Sequence, residues 1–451
     1  MKTLAIFVGL CAGSLVASAP ARADDDGMPA IPPAMDPAGA VNPISVVSGA
    51  GVRVGEGTVL RPQLGIETGV ISNVFYERTG PQTAGVLRLL VQLGTGSLPG
   101  QRLARRTTGD DQNAETQQEN TAQTSGDFQY SADLYAAYEQ YLSSNSDVTA
   151  QGGLSGGMLL RGIVNPQHTL QFAFQEHFDR LIRATNFESN IDTNRDINQL
   201  SLRANVIPYG RSLNGNLYFV NLIDVFEATE QQFANRLQNT AGLHVNWRWL
   251  PLTQIYADVS ASYYTGIGKS NKVDSYPVTG LLGIQTALTL NTTFNAHVGY
   301  TDAFYASGPS YATLSASAML GYRYSPLGRV TAMYSYDHAD SINAQFYRDH
   351  LFRLTFEQYV IPFVLFAQPE LRLRQYDGTI VMDTNGNTTR NDTIVGIIAG
   401  ARYNFRDWLA GTLDYHLQYV HTDFQYQASD TVVTNPSYTR HELMLGIRAA
   451  Y

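Results

Sequence analysis

The last ten residues decide the fold, and they read Glu442-Leu443-Met444-Leu445-Gly446-Ile447-Arg448-Ala449-Ala450-Tyr451. Leu443, Leu445, Ile447, Ala449 and Tyr451 share one parity, and Glu442, Met444, Gly446, Arg448 and Ala450 share the other. Successive side chains of a β-strand point to opposite faces of the sheet. The stretch therefore predicts a strand with one apolar and one polar face.

The same two-residue alternation runs back along the chain to about Leu60. It is plain in segments 127–139, 236–249, 312–324 and 408–419. In 236–249, for example, Leu243, Val245 and Trp247 oppose His244 and Asn246. Aromatic residues gather at the segment ends, as they do in the interface girdles of membrane barrels but not in a soluble sandwich.

The connections between these segments alternate in length. Short ones lie at 165–166, 209–210, 250–252, 290–291, 325–328, 361–362 and 406–407, and longer polar ones at 182–197, 227–234, 265–275, 301–310, 337–345, 376–391 and 424–436. Short turns on one side and long loops on the other are typical of outer-membrane proteins. We therefore predict an all-β fold, a transmembrane antiparallel up-and-down β-barrel of about 18 strands.

Composition agrees with a sheet that has one apolar and one wet face. Only 15% of the 451 residues are charged, 11% are aromatic, and the mean hydropathy is -0.17. The net charge of -9 argues against a nucleic-acid partner, which needs a basic surface. The single cysteine, Cys11, lies in the N-terminal segment that is predicted below to be a signal peptide. No thiolate metal site is therefore expected in the chain that remains after cleavage.

Three regions follow from the sequence. Residues 1–23 form a predicted signal peptide, with Lys2 before an apolar stretch and Ala21-Arg22-Ala23 as the cleavage site. Residues 24–57, rich in Asp, Pro, Gly and Ala, predict a flexible periplasmic segment. Residues 58–451 form the predicted barrel, which places the protein in the outer membrane of a Gram-negative bacterium, with outer-membrane lipid around it.

Charged residues are concentrated on the parity opposite the apolar one, which should face the lumen. Eighteen strands enclose a lumen too wide for side chains to fill, so these residues would line a water-filled pore. They either select solutes by charge or pair to stiffen the wall. The predicted pore-lining residues are Arg88, Asp133, Arg161, Arg203, Arg248, Asp258, Arg323, Arg353, Arg372, Arg374, Arg402, Asp414 and Arg448.

Residues 97–126 break the alternation of connection lengths. They form a long polar connection on the side where a short turn is expected. This segment could fold into the lumen as a constriction, reach a periplasmic partner, or be disordered.

No catalytic centre, metal site or cofactor site is expected. A surface protease of the omptin type would pair acidic residues with a His, but Asp337-His338-Ala339-Asp340 lies in a predicted loop without a second acidic pair. A barrel phospholipase would need Ser and His on the lipid face, whereas His244 and His416 have inward parity. The histidines show no metal-ligand spacing.

Two resemblances point to a transport role. Gly446 and Tyr451 are similar to the terminal signal that the barrel-assembly machinery reads, in which Gly precedes a terminal aromatic by five residues. Residues 59–69, followed by Asn73-Val74-Phe75-Tyr76, resemble the opening strand of the β-barrel porin type 2 family. That resemblance implies a channel for secreted exopolysaccharide, working with periplasmic export components. The alternatives are a general diffusion porin for small hydrophilic solutes and a closed structural or adhesive barrel.

Overall fold

The computed structural model describes residues 51–54, 58–97, 128–165, 168–182, 194–208, 212–270, 272–308, 310–341, 343–429 and 432–451. The predicted signal peptide, 1–23, lies outside these residues. So does the predicted periplasmic segment, 24–57, apart from residues 51–54. There a short strand, β1 (Val52–Val54), pairs antiparallel with the first barrel strand.

Eighteen long antiparallel strands form one closed barrel, which confirms the predicted fold class. These strands are β2 (Thr58–Ile71), β3 (Ala84–Ser97), β4 (Phe128–Leu142), β5 (Gly153–Val164), β6 (Leu170–Leu181), β7 (Arg195–Val206), β8 (Leu213–Phe226), β9 (Arg236–Leu250), β10 (Thr253–Gly266), β11 (Ser275–Thr289), β12 (Thr292–Tyr305), β13 (Tyr311–Ser325), β14 (Gly328–Asp340), β15 (Phe346–Val360), β16 (Phe363–Asp377), β17 (Thr389–Arg406), β18 (Leu409–Thr422) and β21 (Tyr438–Ala450).

Each barrel strand pairs with its neighbours along the chain, so the topology is up and down. A two-stranded hairpin, β19 (Tyr426–Ser429) and β20 (Val432–Thr434), lies between β18 and β21. The ring closes where β2 pairs with β21, in a register that sets Glu67 opposite Gly446 and Val70 opposite Leu443. Closure satisfies the backbone groups of both end strands, which an open sheet in lipid could not do.

The two faces of the wall differ as the alternation predicts. On the outer face, apolar side chains such as Leu64, Leu314 and Leu445 are 60% or more exposed. The other face carries polar and charged side chains, and many of them are buried because side chains on the concave side of a closed sheet converge. An exposed apolar band around a barrel is the feature that places such a fold in a membrane.

Short connections lie at one rim, here called the turn side, and longer ones at the other, the loop side. Residues 251–252 join β9 to β10 at the turn side, whereas 378–388 join β16 to β17 at the loop side. All seven predicted short connections fall between consecutive strands. The connection from β3 to β4, residues 98–127, lies outside the described residues, so the predicted constriction at 97–126 has only Ser97 within them.

Several predicted loops are partly strand. β12 runs to Tyr305 within the predicted loop 301–310, β17 begins at Thr389 within 376–391, and the β19–β20 hairpin lies within 424–436. Asp337, His338, Ala339 and Asp340 belong to β14 and pair in register with Phe346–Asp349 of β15. The strands at the loop side extend further than the polar composition suggested, because backbone pairing continues where side chains on both faces are polar.

Among the residues that the structure describes, helical structure lies only at the loop side. The four-residue helix α1 (Ser146–Thr149) and the 3-10 turn Thr229–Ala234 lie in loop-side connections. Val148 of α1 packs in an apolar cluster with Ile71, Val86 and Tyr141, which closes that part of the rim. Among the described residues, no helix is long and apolar enough to cross a membrane.

Candidate functional site: the charged inner wall

All the predicted pore-lining residues lie on strands and share the parity of the inner face. The registers of neighbouring strands agree on this assignment, since Arg88 stands opposite Glu67 and Glu139, and Arg353 opposite Glu370. The structure gathers six of the thirteen into three separate groups of contacts.

The first group, the seam cluster, surrounds Arg88 on β3. Its guanidinium contacts three carboxylates: Nε lies 2.7 Å from Glu139 Oε2, Nη1 3.2 Å from Glu67 Oε2, and Nη2 3.3 Å from Glu442 Oε1. These partners lie on β4, β2 and β21, so one side chain connects four adjacent strands. The Arg88 side chain is only 8% exposed and therefore depends on these partners.

Two further arginines balance the seam cluster. Arg448 forms an ion pair with Glu67, and Arg440 Nη2 lies 3.5 Å from Glu442 Oε2. The cluster thus has three arginines and three glutamates, which are Glu67, Arg88, Glu139, Arg440, Glu442 and Arg448. It spans the seam between β2 and β21 that closes the barrel.

Gly446 of the predicted assembly signal lies within the same cluster. A Cβ at this position would stand 2.9 Å from Glu67 Cγ and 2.7 Å from Thr412 Oγ1, so the glycine provides the space that the Glu67 side chain occupies. The predicted signal residue Tyr451 is 69% exposed, and its backbone N–H donates to the carbonyl of Pro62 at 3.1 Å. Neither contact tests recognition by the assembly machinery, which stays a prediction.

The second group, the β15–β16 cluster, holds the predicted residues Arg353, Arg372 and Arg374. Glu370 lies 2.8 Å from Arg353 Nη2 and 3.0 Å from Arg372 Nε. Asp349 accepts two hydrogen bonds from Arg374, at 2.7 and 2.6 Å. Three arginines face two carboxylates, and the guanidinium of Arg374 lies 3.7 Å from the ring centroid of Tyr347.

Asp258 belongs to a third group, in which its hydrogen-bond partners are a tyrosine and a histidine. Tyr218 donates its hydroxyl to Asp258 Oδ1 at 2.9 Å, and His244 Nδ1 lies 3.1 Å from Oδ2. The hydroxyl of Tyr256 lies 3.0 Å from Asn295 Oδ1 and 3.3 Å from His297 Nδ1. This part of the wall thus offers phenol, imidazole and amide groups around a single carboxylate.

The remaining predicted residues are less closely connected. Asp133 accepts a hydrogen bond from Gln92 and interacts electrostatically with Arg161, while Asp414 interacts with Arg402 and Arg448. Arg203 is 3% exposed and interacts with Tyr218. Arg248 and Arg323 lie near the turn-side ends of β9 and β13, apart from the two charge clusters.

Sequence reasoning missed several members of these groups. Parity alone could have included Glu67, which alternates with the apolar outer residues Leu64 and Ile66. Asp349 stands between Arg348 and His350, so the alternation gave no such signal there. Arg440 has the same inward parity as Glu442 and was also omitted. No sequence signal would have identified Tyr218 as a partner of Asp258, because the contact depends on two strands that are not neighbours in the sheet.

The described part of the inner wall lacks the arrangement of side chains that holds a metal ion. Within the described ranges, no group of three or more His, Cys, Asp or Glu side chains is arranged to hold a metal ion. The wall presents fixed charges, phenols and imidazoles along a lumen, an arrangement suited to contacting a passing solute.

Comparison with known proteins gives a likeness at the level of the barrel. No family model matches the sequence, and no curated protein matches it either. Among solved structures, the chain is similar to Pseudomonas aeruginosa OccK2 (OpdF), with 9% identity, a TM-score of 0.45, and coverage of 87% of this chain and 98% of that chain. It is also similar to the FrpB iron transporter of Neisseria meningitidis, with 9% identity, a TM-score of 0.44, and coverage of 88% and 82%.

Identities this low transfer no function to this chain. The resemblance of the opening strand to the β-barrel porin type 2 family has no family match behind it and stays a prediction. The proposal that follows therefore depends on the geometry of the barrel.

Proposed function

We propose that this chain forms an aqueous channel across the outer membrane of a Gram-negative bacterium and admits small hydrophilic solutes. The observation that carries the proposal is a closed ring of eighteen strands with exposed apolar side chains outside and charged side chains inside. Charged side chains on the inner face need water as well as partners, because burying an unsolvated charge is costly. An interior that holds water meets this need.

The dimensions support a lumen. Strands about 4.8 Å apart and tilted by about 40° close, for eighteen strands, into a round ring about 36 Å across between backbones. Side chains of the wall are too short to fill such a ring from both sides. Barrels of this strand number therefore leave a channel unless a further segment occupies it.

The distribution of charge supports a weak, local selectivity. The seam cluster has equal numbers of arginines and glutamates, whereas the β15–β16 cluster has one more arginine than carboxylates. The Asp258 group presents hydroxyl and imidazole groups elsewhere on the wall. A solute would thus meet a transverse field between differently charged parts of the wall.

Conductance across a planar lipid bilayer tests the proposal. The purified, refolded barrel should give stepwise currents, and Glu370→Gln should shift the reversal potential in a KCl gradient towards anion selectivity. Glu227→Gln is the matched control, because Glu227 pairs with Arg180 at the loop-side rim on the outer face. Correctly folded protein without current would contradict the channel and favour the closed structural barrel.

Residues 97–126 are proposed to narrow the lumen, as their length on the turn side suggested. A variant in which a short turn replaces them should conduct more current than the intact chain. An unchanged conductance would assign the segment to a periplasmic partner or to disorder.

Passage of a secreted polysaccharide is the narrower version of the proposal. It rests on the resemblance of the opening strand, and no contact on the inner wall favours a polymer over a small solute. Loss of secreted polymer in a strain that lacks the gene would support it.

A further inference from the structure

A polar patch interrupts the outer face of the barrel near the loop-side rim of β14 to β18. The registers place five side chains in a row across these strands: Tyr336 opposite His350, then Leu373, Thr393 and His421. The next row towards the loops runs through Arg348, Gln375 and Asn391 and ends beside Asp423. Four of the five side chains in the first row are polar or aromatic with a polar group.

The row immediately below this patch is apolar or aromatic throughout. It consists of Tyr334, Phe352, Leu371, Val395 and Tyr419. Residues two apart on a strand are separated by about 6.7 Å, so the outer face changes from apolar to polar over one such step. Such a change, with tyrosines along it, marks the level at which hydrocarbon ends and lipid head groups begin.

The patch is concave. Its side chains line a cavity of about 380 Å³ that opens to the outside of the barrel. Tyr336 and His350 stack with ring centroids 4.4 Å apart and form part of its wall. Thr393, Gln375 and Asn391 contribute hydroxyl and amide groups, and His421 is 54% exposed beside Asp423.

Arg348 is the arginine that the outer face contributes to this cavity, whereas Arg374, which also lines it, has inward parity and is paired with Asp349. Its Nη2 lies 2.6 Å from Asp377 Oδ2, which fixes the guanidinium, while its Nε is buried without a hydrogen-bond partner. A guanidinium held by one carboxylate keeps further N–H donors available, and a phosphate can accept from two of them at once.

We propose that this cavity binds the phosphorylated sugar head group of an anionic glycolipid in the outer leaflet. Arg348 would donate to the phosphate, the amides and Thr393 would bond to sugar hydroxyls, and the Tyr336–His350 pair would pack against the sugar ring. The acyl chains of the same molecule would lie over Phe352, Leu371 and Val395 directly below. The combination of polar cavity and adjoining apolar wall fits a lipid better than a free phosphate, which would use only the upper row.

Binding can be measured by native mass spectrometry of the detergent-solubilised barrel titrated with purified lipid A. Replacement of Arg348 by Gln should weaken the affinity about tenfold, as the loss of one charge-assisted hydrogen bond implies. Arg180→Gln is the matched control, because Arg180 also forms an outer-face ion pair at the loop side, with Glu227 at 2.6 Å, but on a distant part of the barrel. The control should stay within about twofold of the parent chain.

Two further lipids test the contributions of the phosphate and of the sugar separately. Lipid A without its phosphates should bind to the parent chain about as weakly as intact lipid A binds to Arg348→Gln. Phosphatidylglycerol, which has a phosphate but no sugar, should bind to the parent chain more weakly than lipid A does. If Arg348→Gln does not fold, as judged by its heat-dependent mobility on a gel, the exposed His421→Ala provides the second variant. Equal affinities for all variants, or equal losses for Arg180→Gln and Arg348→Gln, would overturn the proposal.

Discussion

Removal of Arg88 should destabilise the barrel far more than removal of any arginine at its surface. In the variant Arg88→Met, the apolar stem is retained and the guanidinium is lost. Glu67, Glu139 and Glu442 then face one another with side chains that are 4%, 15% and 6% exposed. Arg448 and Arg440 still contact Glu67 and Glu442, but Glu139 loses the arginine that balances it.

The magnitude follows from burial. Breaking a buried ion pair by deletion of one partner costs about 3–5 kcal/mol, since an uncompensated charge is left behind. The outer-face pair of Arg180 with Glu227 is 41% and 33% exposed, and solvent screens it. Arg180→Met should therefore cost no more than about 1 kcal/mol. The predicted difference between the two variants is about 2–4 kcal/mol.

Reversible urea unfolding in lipid vesicles, followed by tryptophan fluorescence, measures both values. Adding Glu139→Gln to Arg88→Met should recover part of the loss, because it removes the carboxylate that was left without its partner. The reasoning fails if Arg88→Met and Arg180→Met unfold at the same urea concentration. It also fails if the second substitution makes the variant less stable.

Three further outcomes can be checked on single substitutions. Gly446→Val should prevent correct closure, seen as loss of the heat-dependent gel shift, because even a Cβ would stand 2.9 Å from Glu67 Cγ. Gly280→Val in β11 is the matched control, because a Cβ there meets no atom within 4 Å. Ile447→Arg places a charge on the outer face, where Ile447 is 54% exposed, and should cost about 2–4 kcal/mol in urea unfolding if the site lies near the membrane midplane. In the loop after β16, backbone N–H of Asn387 donates to Asp383 and lowers the pKa of that carboxyl below 3.8. A lowered pKa stabilises the turn above the ordinary aspartate range. Protection of the Asn387 amide, measured as its exchange rate relative to an unstructured peptide at the same pH, should therefore be lost only as the pH falls below about 3.8, and Asp383→Ala should lack this protection at every pH.

The two-residue alternation of apolar and polar residues was sufficient to predict the barrel architecture from the sequence. Strand existence, inward or outward parity and the position of every short turn followed from side-chain periodicity, because each of these depends on neighbours within one strand. The ends of strands at the loop side did not follow. His338 has outward parity yet is 6% exposed, because its ring stacks on Tyr311 at the loop-side end of the neighbouring strand β13, with ring centroids 3.8 Å apart.

The candidate site could be predicted only as a set of inward positions. Parity identified Arg88 and Arg448 as inward but could not show that both contact Glu67. Which charges meet depends on the stagger between strands, and two sequences with the same alternation can differ in stagger. Polar residues on the outer face, such as Arg348, could not be identified as a site either. Their position relative to the apolar rows of neighbouring strands also depends on the stagger between those strands.

The seam cluster suggests how the chain distinguishes registers that alternation leaves equivalent. A slip of one residue between β2 and β21 would turn an entire strand inside out, so the apolar pattern already excludes it. A slip of two residues preserves both faces and would set Glu67 opposite Met444 or Arg448 instead of Gly446. If Glu67 stood opposite Met444, its carboxylate would meet the thioether in place of the space that Gly446 leaves. If Glu67 stood opposite Arg448, Arg88 and Glu442 would move apart. Buried charges at the closing strands thus make the two-residue slips costly, and the barrel closes in the register where three arginines and three glutamates find one another.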